Sequence, residues 1–424
     1  MPAMLRWLYN LVVFLALPFA VLRLYWRSRR EVGYRHHIGE RFGQVVLPPP
    51  AAPRIWIHAV SAGETIAAVP LAKRLLAAGY EVLITNMTPA GRERCQALLG
   101  DSVMNVYVPY DFGPLIDQFL ARAGPSLMVL VDTELWPGLI GRTAADNISV
   151  VLVNGRLSES SFNGYRRWPA LVTPMLDAID AFQLQSPTHA TRFGELGVPA
   201  ERIEVSGSIK FDSALPVDIE SRVETLQARL GDRPVLVGAS THPGEEAALL
   251  DAFDHPVFAD WLLVLVPRHL RRLDEVLAEV RSRDHSLQCF TDGGDVSEST
   301  KVFVIDAMGE LLPAYGCATL AFVGGSLKPV GGHNMIEAAL LGAPVVMGPH
   351  VENIEDIAAE FVEAEAMVQV ESSPVLADTL RNLARDADAR QRLAGNATAF
   401  VESNRGALDR AVHRIEQLTR ETAA

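Results

Sequence analysis

The chain has 424 residues, 49 % of them hydrophobic, enough for two domains of ordinary size with substantial cores. Its formal net charge of −13 at pH 7 argues against a general nucleic-acid binder, because a phosphate backbone demands a basic surface. Cys95, Cys289 and Cys317 show neither metal-ligand nor paired spacing and are expected to be buried small hydrophobes of a reducing compartment.

Trp7 to Leu22 is uncharged and mostly apolar, between Arg6 and Arg23. At 16 residues it falls slightly short of the roughly 20 that cross a bilayer as a helix, and arginine stems at both ends can extend it. A cleaved signal peptide, an interfacial helix and a single spanning anchor compete. The first is disfavoured, since no small-residue cleavage site follows and Arg27, Arg29 and Arg30 come at once. The positive-inside rule then puts the body of the chain in the cytoplasm. Arg23, Arg27, Arg29, Arg30, Arg35 and Arg41 can hold anionic lipid headgroups or act as a topogenic cluster.

From Arg54 strand-like and helix-like stretches alternate. Strands are expected at Ile55–Val60, Glu81–Thr85, Val106–Pro109, Leu127–Val131, Val150–Asn154, Phe182–Gln185 and Ile203–Ser206. Such alternation implies right-handed βαβ units and a parallel sheet, whose ligands bind beyond the carboxyl ends of the strands. Three of those ends are polar. In His58-Ala-Val-Ser-Ala-Gly-Glu64, Glu64 opens a helix, where it either complements the helix dipole or serves as a general base. In Asp132-Thr-Glu134-Leu-Trp136, two acidic residues alternate off a strand end and should point the same way. In Gly207-Ser-Ile-Lys210-Phe-Asp212, Lys210 is either a solvated hinge lysine or a counter-charge for a phosphate or carboxylate.

After a linker at Leu215–Asp218 the alternation restarts, with strands expected at Val235–Gly238, Leu262–Val266, Val302–Ile305, Thr319–Val323, Val345–Met347 and Met367–Val370. Two successive α/β domains with a cleft between them suit group transfer. Pro267-Arg268-His269 follows a strand, and the Arg268 guanidinium suits a two-pronged grip on a phosphate or carboxylate. Met308-Gly309-Glu310 is expected to open a helix. Gly324, Gly325, Gly331 and Gly332 punctuate a turn, His333 stands at its mouth, and a helix should run from Asn334 to Leu341 with Glu337 one turn in. Its spacing is neither the dinucleotide fingerprint nor a phosphate-binding Walker loop. Nothing supplies a plausible metal-ligand cluster. Residues 374–420 should form long terminal helices without chemistry.

The ordered stretches HAVSAGE, TNMTPAGRER, VYVPYD, TELWP, GSIKFD, LVPRH, MGELLPAYG, FVGGSL, GGHN-x-x-E and MGPH resemble the 3-deoxy-D-manno-octulosonic acid (Kdo) transferases of lipopolysaccharide assembly, over essentially the whole chain. The resemblance implies an inverting, metal-independent GT-B glycosyltransferase: two Rossmann-like parallel-sheet domains facing a cleft, with an N-terminal anchor. It implies a CMP-Kdo donor, a lipid A precursor (lipid IVA) as acceptor, membrane lipids as partners, no cofactor, and a place on the cytoplasmic face of the bacterial inner membrane, single-pass or monotopic. It divides the chain into an anchor (1–28), an acceptor domain (29–214) and a donor domain (215–424). Glu64 matches the family's base, and Asp132 and Lys210 match positions held to assist the transition state. Pro267 and Arg268, Met308, Gly309 and Glu310, and Asn334, Met335, Ile336 and Glu337 match CMP-binding segments, beside Gly331, Gly332 and His333 of the same turn. The chain departs from the family at Asp132, where glutamate is usual, and at Val153-Asn-Gly-Arg156, where alanine is expected before the arginine. A sugar-nucleotide epimerase on the same architecture would not need the apolar segment. A non-catalytic binding protein would be expected to lack Glu64 or the glycine-rich turn.

Overall fold

A computed structural model describes residues 3–29, 32–212 and 215–423; Arg30 of the basic cluster lies outside the described residues. The chain divides into two compact units, Met1–Asp212 with Arg405–Ala424, and Ser213–Asn404.

In the first unit, seven strands form one parallel sheet: β1 (Arg54–His58), β2 (Glu81–Asn86), β3 (Met104–Tyr107), β4 (Leu127–Val131), β5 (Ser149–Gly155), β6 (Ala181–Leu184) and β7 (Ile203–Val205). Their order is β3-β2-β1-β4-β5-β6-β7. β1 and β4 are buried along their whole length, as apolar runs covered by helices on both faces must be. The chain winds outward from β1 to β3, then returns to β4 on the other side of β1. The crevice at the carboxyl ends of β1 and β4 is therefore the topological switch point, where open α/β sheets bind ligands.

The second unit repeats the plan with β8 (Val235–Thr241), β9 (Leu262–Pro267), β10 (Leu287–Cys289), β11 (Val302–Val304), β12 (Leu320–Val323), β13 (Val345–Met347) and β14 (Val368–Gln369). The order is β10-β11-β9-β8-β12-β13-β14, all parallel, so its switch point lies between β8 and β12. The expected α/β architecture is thus present in both units. β10 had no counterpart in the sequence reading, because three half-buried edge residues carry no periodic signal.

The C-terminal boundary differs from expectation. Helix Ala407–Ala423 belongs to the first unit, not to the second. Its buried face, Leu408, Ala411, Val412, Ile415 and Leu418, follows helical spacing and joins the core around Ile55, Val129 and Val151. Each large aliphatic side chain so buried contributes about 2 kcal/mol. Asp212 fixes the entry of this helix, its two carboxylate oxygens each accepting one N–H bond, from Gly406 and Leu408, at 2.6 Å. Of the cysteines, Cys95 and Cys317 are buried as expected, but Cys289 on the edge strand is only half-buried.

Helix Ala3–Arg27 extends past the uncharged stretch at both ends and measures about 37 Å. Its portion Trp7–Arg27 is long and apolar enough to cross a membrane, and little of it is covered by the rest of the chain. One side of it is tied down. The Gly113 N–H donates to the Asn10 side chain at 2.9 Å, the Tyr9 hydroxyl donates to Asp111, and the Phe14 and Phe112 rings lie 5.7 Å apart. Asp111 in turn caps helix Pro137–Ala145 by accepting from the Gly138 and Leu139 N–H groups.

Replacing Asp212 by alanine removes two cap bonds and is expected to cost about 1–2 kcal/mol, localised at the start of the last helix. Amide exchange should rise across residues 406–411 and leave β1 and β4 unchanged. Identical exchange in both proteins would show that apolar burial alone docks the helix.

Candidate active site: two sheet switch points

At the first switch point, Ser61 follows β1 and caps helix Ala62–Ala77, its hydroxyl accepting from the Glu64 N–H. The Glu64 carboxylate reaches back. One oxygen accepts from the Val60 N–H at 2.6 Å and the other from the Ser61 hydroxyl at 2.8 Å. Burial pushes the Glu64 carboxyl above the usual glutamate range, against those bonds, and the nearby Asp132 charge pushes the same way.

Across the crevice, after β4, Asp132 sits at φ +62° and is buried. It accepts from the Asn154 amide at 2.5 Å and pairs with Arg156 at 3.4 Å. Glu134 instead accepts from the Trp136 indole at 2.8 Å. The two carboxylates were expected to point the same way; the left-handed backbone at Asp132 breaks the strand alternation and sends them to different partners. They still act on one another. Burial first, then the Glu64 charge, pushes Glu134 up to about 7, opposed by the Trp136 bond. Glu64, Asp132 and Glu134 therefore form one electrostatic group.

Lys210 lies in a short turn, Ile209–Asp212. Asn154 bridges this turn to Asp132, because its side-chain oxygen accepts from the Ile209 N–H at 3.1 Å while its amide nitrogen donates to Asp132. Asn154 is fully buried at φ +59°. The sequence alone assigns it no role, although an asparagine at a strand end is well suited to a left-handed, doubly bonded position. His58, the first residue of the HAVSAGE stretch, is structural. It is fully buried and its Nδ1 meets the Thr85 hydroxyl at 2.9 Å, while burial pushes its imidazole down to about 3, so the ring is neutral.

At the second switch point the glycine-rich turn is organised by Glu245, at the start of helix Glu245–Phe253. Its carboxylate is fully buried and accepts four N–H bonds: His242 and Gly325 on one oxygen, both at 2.8 Å, and Ser326 at 3.0 Å and Leu327 at 2.9 Å on the other. No motif in the sequence reading contained Glu245. Gly331, at φ +104°, lies where a Cβ would come within 2.3 Å of the Asn353 side chain. Gly332 donates to the Gly325 carbonyl at 2.8 Å.

The expected helix from Asn334 is shorter, Ile336–Leu340, because the Asn334 side chain accepts from the Ile336 N–H and holds the preceding residues in a turn. The side chains of Met335 and Ile336 are buried, as is Pro267, which leaves mainly their main chain for a ligand. His333 and Glu337 are half-buried and Arg268 is exposed. Burial raises Glu337 and the Arg268 charge lowers it, which places the two within electrostatic reach. Met308, Gly309 and Glu310 form a turn ahead of helix Leu311–Gly316 rather than its first turn. Arg222 holds that turn, donating to the Gly309 carbonyl at 2.7 Å and to Glu310 at 3.0 Å.

Two parallel seven-stranded sheets, each with its charged side chains gathered at its own switch point, define the GT-B class of two-domain α/β enzyme. The fold is similar to that of a putative UDP-N-acetylglucosamine 2-epimerase from Listeria monocytogenes (TM-score 0.55, 14 % identity, 88 % of this chain and 98 % of that one). It is equally similar to that of a glycosyltransferase from Rickettsia africae (TM-score 0.54, 13 % identity, 88 % and 99 %). Residues 36–213 match the family described as 3-Deoxy-D-manno-octulosonic-acid transferase (kdotransferase). The chain is 33 % identical over 416 residues to the 3-deoxy-D-manno-octulosonic acid transferase of Haemophilus influenzae, covering 96 % of this chain and 97 % of that protein. It is 32 % identical over 406 residues to that of Bordetella pertussis, covering 92 % and 94 %. The chain belongs to the Kdo transferase family and is a glycosyltransferase.

Two measurements test these assignments. Because Glu134 titrates higher folded than unfolded, the folded state binds the extra proton between the ordinary glutamate range and about pH 7. Its contribution to stability is present below that window and is lost as pH rises through it. Urea unfolding should show stability falling over that window, and Glu134→Gln should flatten the fall; parallel profiles would contradict a raised Glu134. Glu245→Ala leaves four N–H groups without their acceptor and should cost at least about 3 kcal/mol. Exchange protection should be lost first at residues 325–327, and retained protection there would mean the turn is held by other contacts.

Proposed function

We propose that this chain moves Kdo from CMP-Kdo to a lipid A precursor, lipid IVA, by a single inverting displacement with Glu64 as the base. The observation that carries the reading is the state of Glu64. It is a carboxylate at a sheet switch point, half-buried, made more basic than usual by burial and by a neighbouring carboxylate, and held in place by Ser61 and Val60.

In the reaction the acceptor hydroxyl oxygen attacks the anomeric carbon of Kdo as its proton passes to Glu64. The bond from that carbon to the phosphate oxygen breaks, and CMP leaves with the electron pair. One base and no covalent intermediate give inversion. Positive character grows on the sugar ring, and Asp132, fixed by Asn154, supplies a negative charge beside the base. Lys210, on the turn that Asn154 ties to Asp132, answers negative charge on the substrates. In the second unit Arg268, the Met308–Glu310 turn and the Gly331–Glu337 segment take the donor. No step calls for a metal or a cofactor. The first unit is the acceptor domain and the second the donor domain. The apolar helix Trp7–Arg27, followed by arginines, anchors the protein at the inner membrane with its body on the cytoplasmic side, where a phosphorylated lipid acceptor is presented.

The test is transfer from CMP-Kdo to a tetraacylated lipid A precursor without added divalent metal. Glu64→Gln should lower the rate by about 10²–10⁴-fold while the protein stays folded. The wild-type rate should decline as pH drops through the raised Glu64 value, since the base must be ionised. Equal rates in wild type and variant would move the base elsewhere. No transfer, with turnover of a UDP-sugar instead, would favour an epimerase.

A further inference from the structure

Two histidines meet at the second switch point. His242 is the first residue after β8, and His333 lies in the turn that follows β12, so the pair straddles the crevice where the sheet order reverses. Their Nε2 atoms are 2.9 Å apart, with the rings at 19° and 5.1 Å between centroids. His269, two residues past β9, stands edge-on to His242 at 5.9 Å. Gly325, at φ +69°, makes room for this arrangement, since a Cβ there would come within 2.9 Å of the His333 ring and 3.6 Å of the His242 ring.

Two facing ring nitrogens hold one proton between them: one donates and the other accepts. The pair is therefore neutral, or carries one charge with its further proton on an Nδ1. A second charge would set two N–H groups head to head. The surrounding groups decide between the first two states. Burial first, then the charges of Arg268, His242 and His269, hold His333 down at about 4. Arg271 and Arg272 add to the positive side at His269. From the glycine-rich turn the Lys328 side chain reaches over Gly244. Two carboxylates lie on neighbouring elements. Glu245 is spent on its four N–H bonds, and Glu337 is itself pushed toward the neutral form by burial. An imidazole held down as His333 is stays neutral until an anion arrives; an anion reverses the local field and draws a proton in.

We propose that His242 and His333, together with Arg268, seat the phosphate of the nucleotide donor, and that the imidazole pair takes up one proton as this anion binds. The proposal rests on the donor-site reading above and adds to it His242, a proton, and a direction for the pH dependence of donor affinity. Binding is strongest where the pair can be protonated in the complex and weakens as pH rises through the raised imidazole value.

The experiment is calorimetry of CMP binding to the full-length protein in detergent at pH 7.0, in buffers of different ionisation enthalpy, with cytidine as the phosphate-free control. The expected result is net uptake of up to about one proton per CMP, and none with cytidine. A phosphate bound by Arg268 alone, already almost wholly dianionic at this pH, would take up no proton, so uptake separates the two cases. His242→Gln combined with His333→Gln should abolish uptake and weaken CMP at least about tenfold. In wild type, CMP affinity should fall between pH 7 and pH 8, where the nucleotide is already dianionic, and this needs no variant. A buffer-independent enthalpy with tight CMP binding, or the same uptake in the double variant, overturns the inference and leaves the donor reading intact. CMP that does not bind wild type overturns both.

Discussion

The carboxyl end of the second sheet is built around one buried carboxylate. Four N–H groups from two separate segments converge on the Glu245 carboxylate, one from the end of β8 and three from the turn after β12. An ion of this size costs several kcal/mol to bury, and only near-complete satisfaction of its oxygens offsets that. The geometry is therefore stringent. It draws the two loops flanking the switch point together, and the His242–His333 contact, the close approach over Gly325 and the course of the chain toward Gly331 follow from it.

The first sheet solves the same problem with a different division of labour. Asn154, in a left-handed conformation at the end of β5, joins Asp132 of the β4 loop to the turn that carries Lys210. A neutral amide suits this place because it both donates and accepts. It can hold a carboxylate on one side and a backbone N–H on the other without adding charge. The polar groups that the chain gathers at this switch point are thereby oriented by residues that need not touch a substrate.

The sequence made the alternating architecture readable, because strands covered on both faces leave unbroken apolar runs such as Leu127–Val131 and Leu262–Val266. The strand ends that carry Glu64, Asp132, Lys210, Arg268 and His333 were readable for the same reason. Three kinds of feature were not. β10 is too short to show a period. Glu245 looks like any acidic residue in a first helical turn, and only the fold shows that three of its four partners lie 80 and more residues away. The return of Ala407–Ala423 to the first unit depends on which core its apolar face fits, and a periodic face does not name its partner. The left-handed turn at Asp132 was hidden likewise, since a positive φ at aspartate leaves no mark in the order of residues.

Glu64 and Glu245 occupy matching places, each in the first turn of the helix that follows the first strand of its sheet, and each bonding back to an N–H at that strand's end. What separates the two carboxylates is what else each meets. Glu245 has four N–H donors, all backbone, two on each oxygen, which leave nothing for a ligand. Glu64 meets the Val60 N–H and Ser61, has carboxylates for neighbours, and is partly exposed. Fewer donors and nearby negative charge make its ionised form less comfortable, and that discomfort raises its affinity for a proton. The same topological position thus yields a clamp where the donors are plentiful and a carboxyl of raised proton affinity where they are withheld.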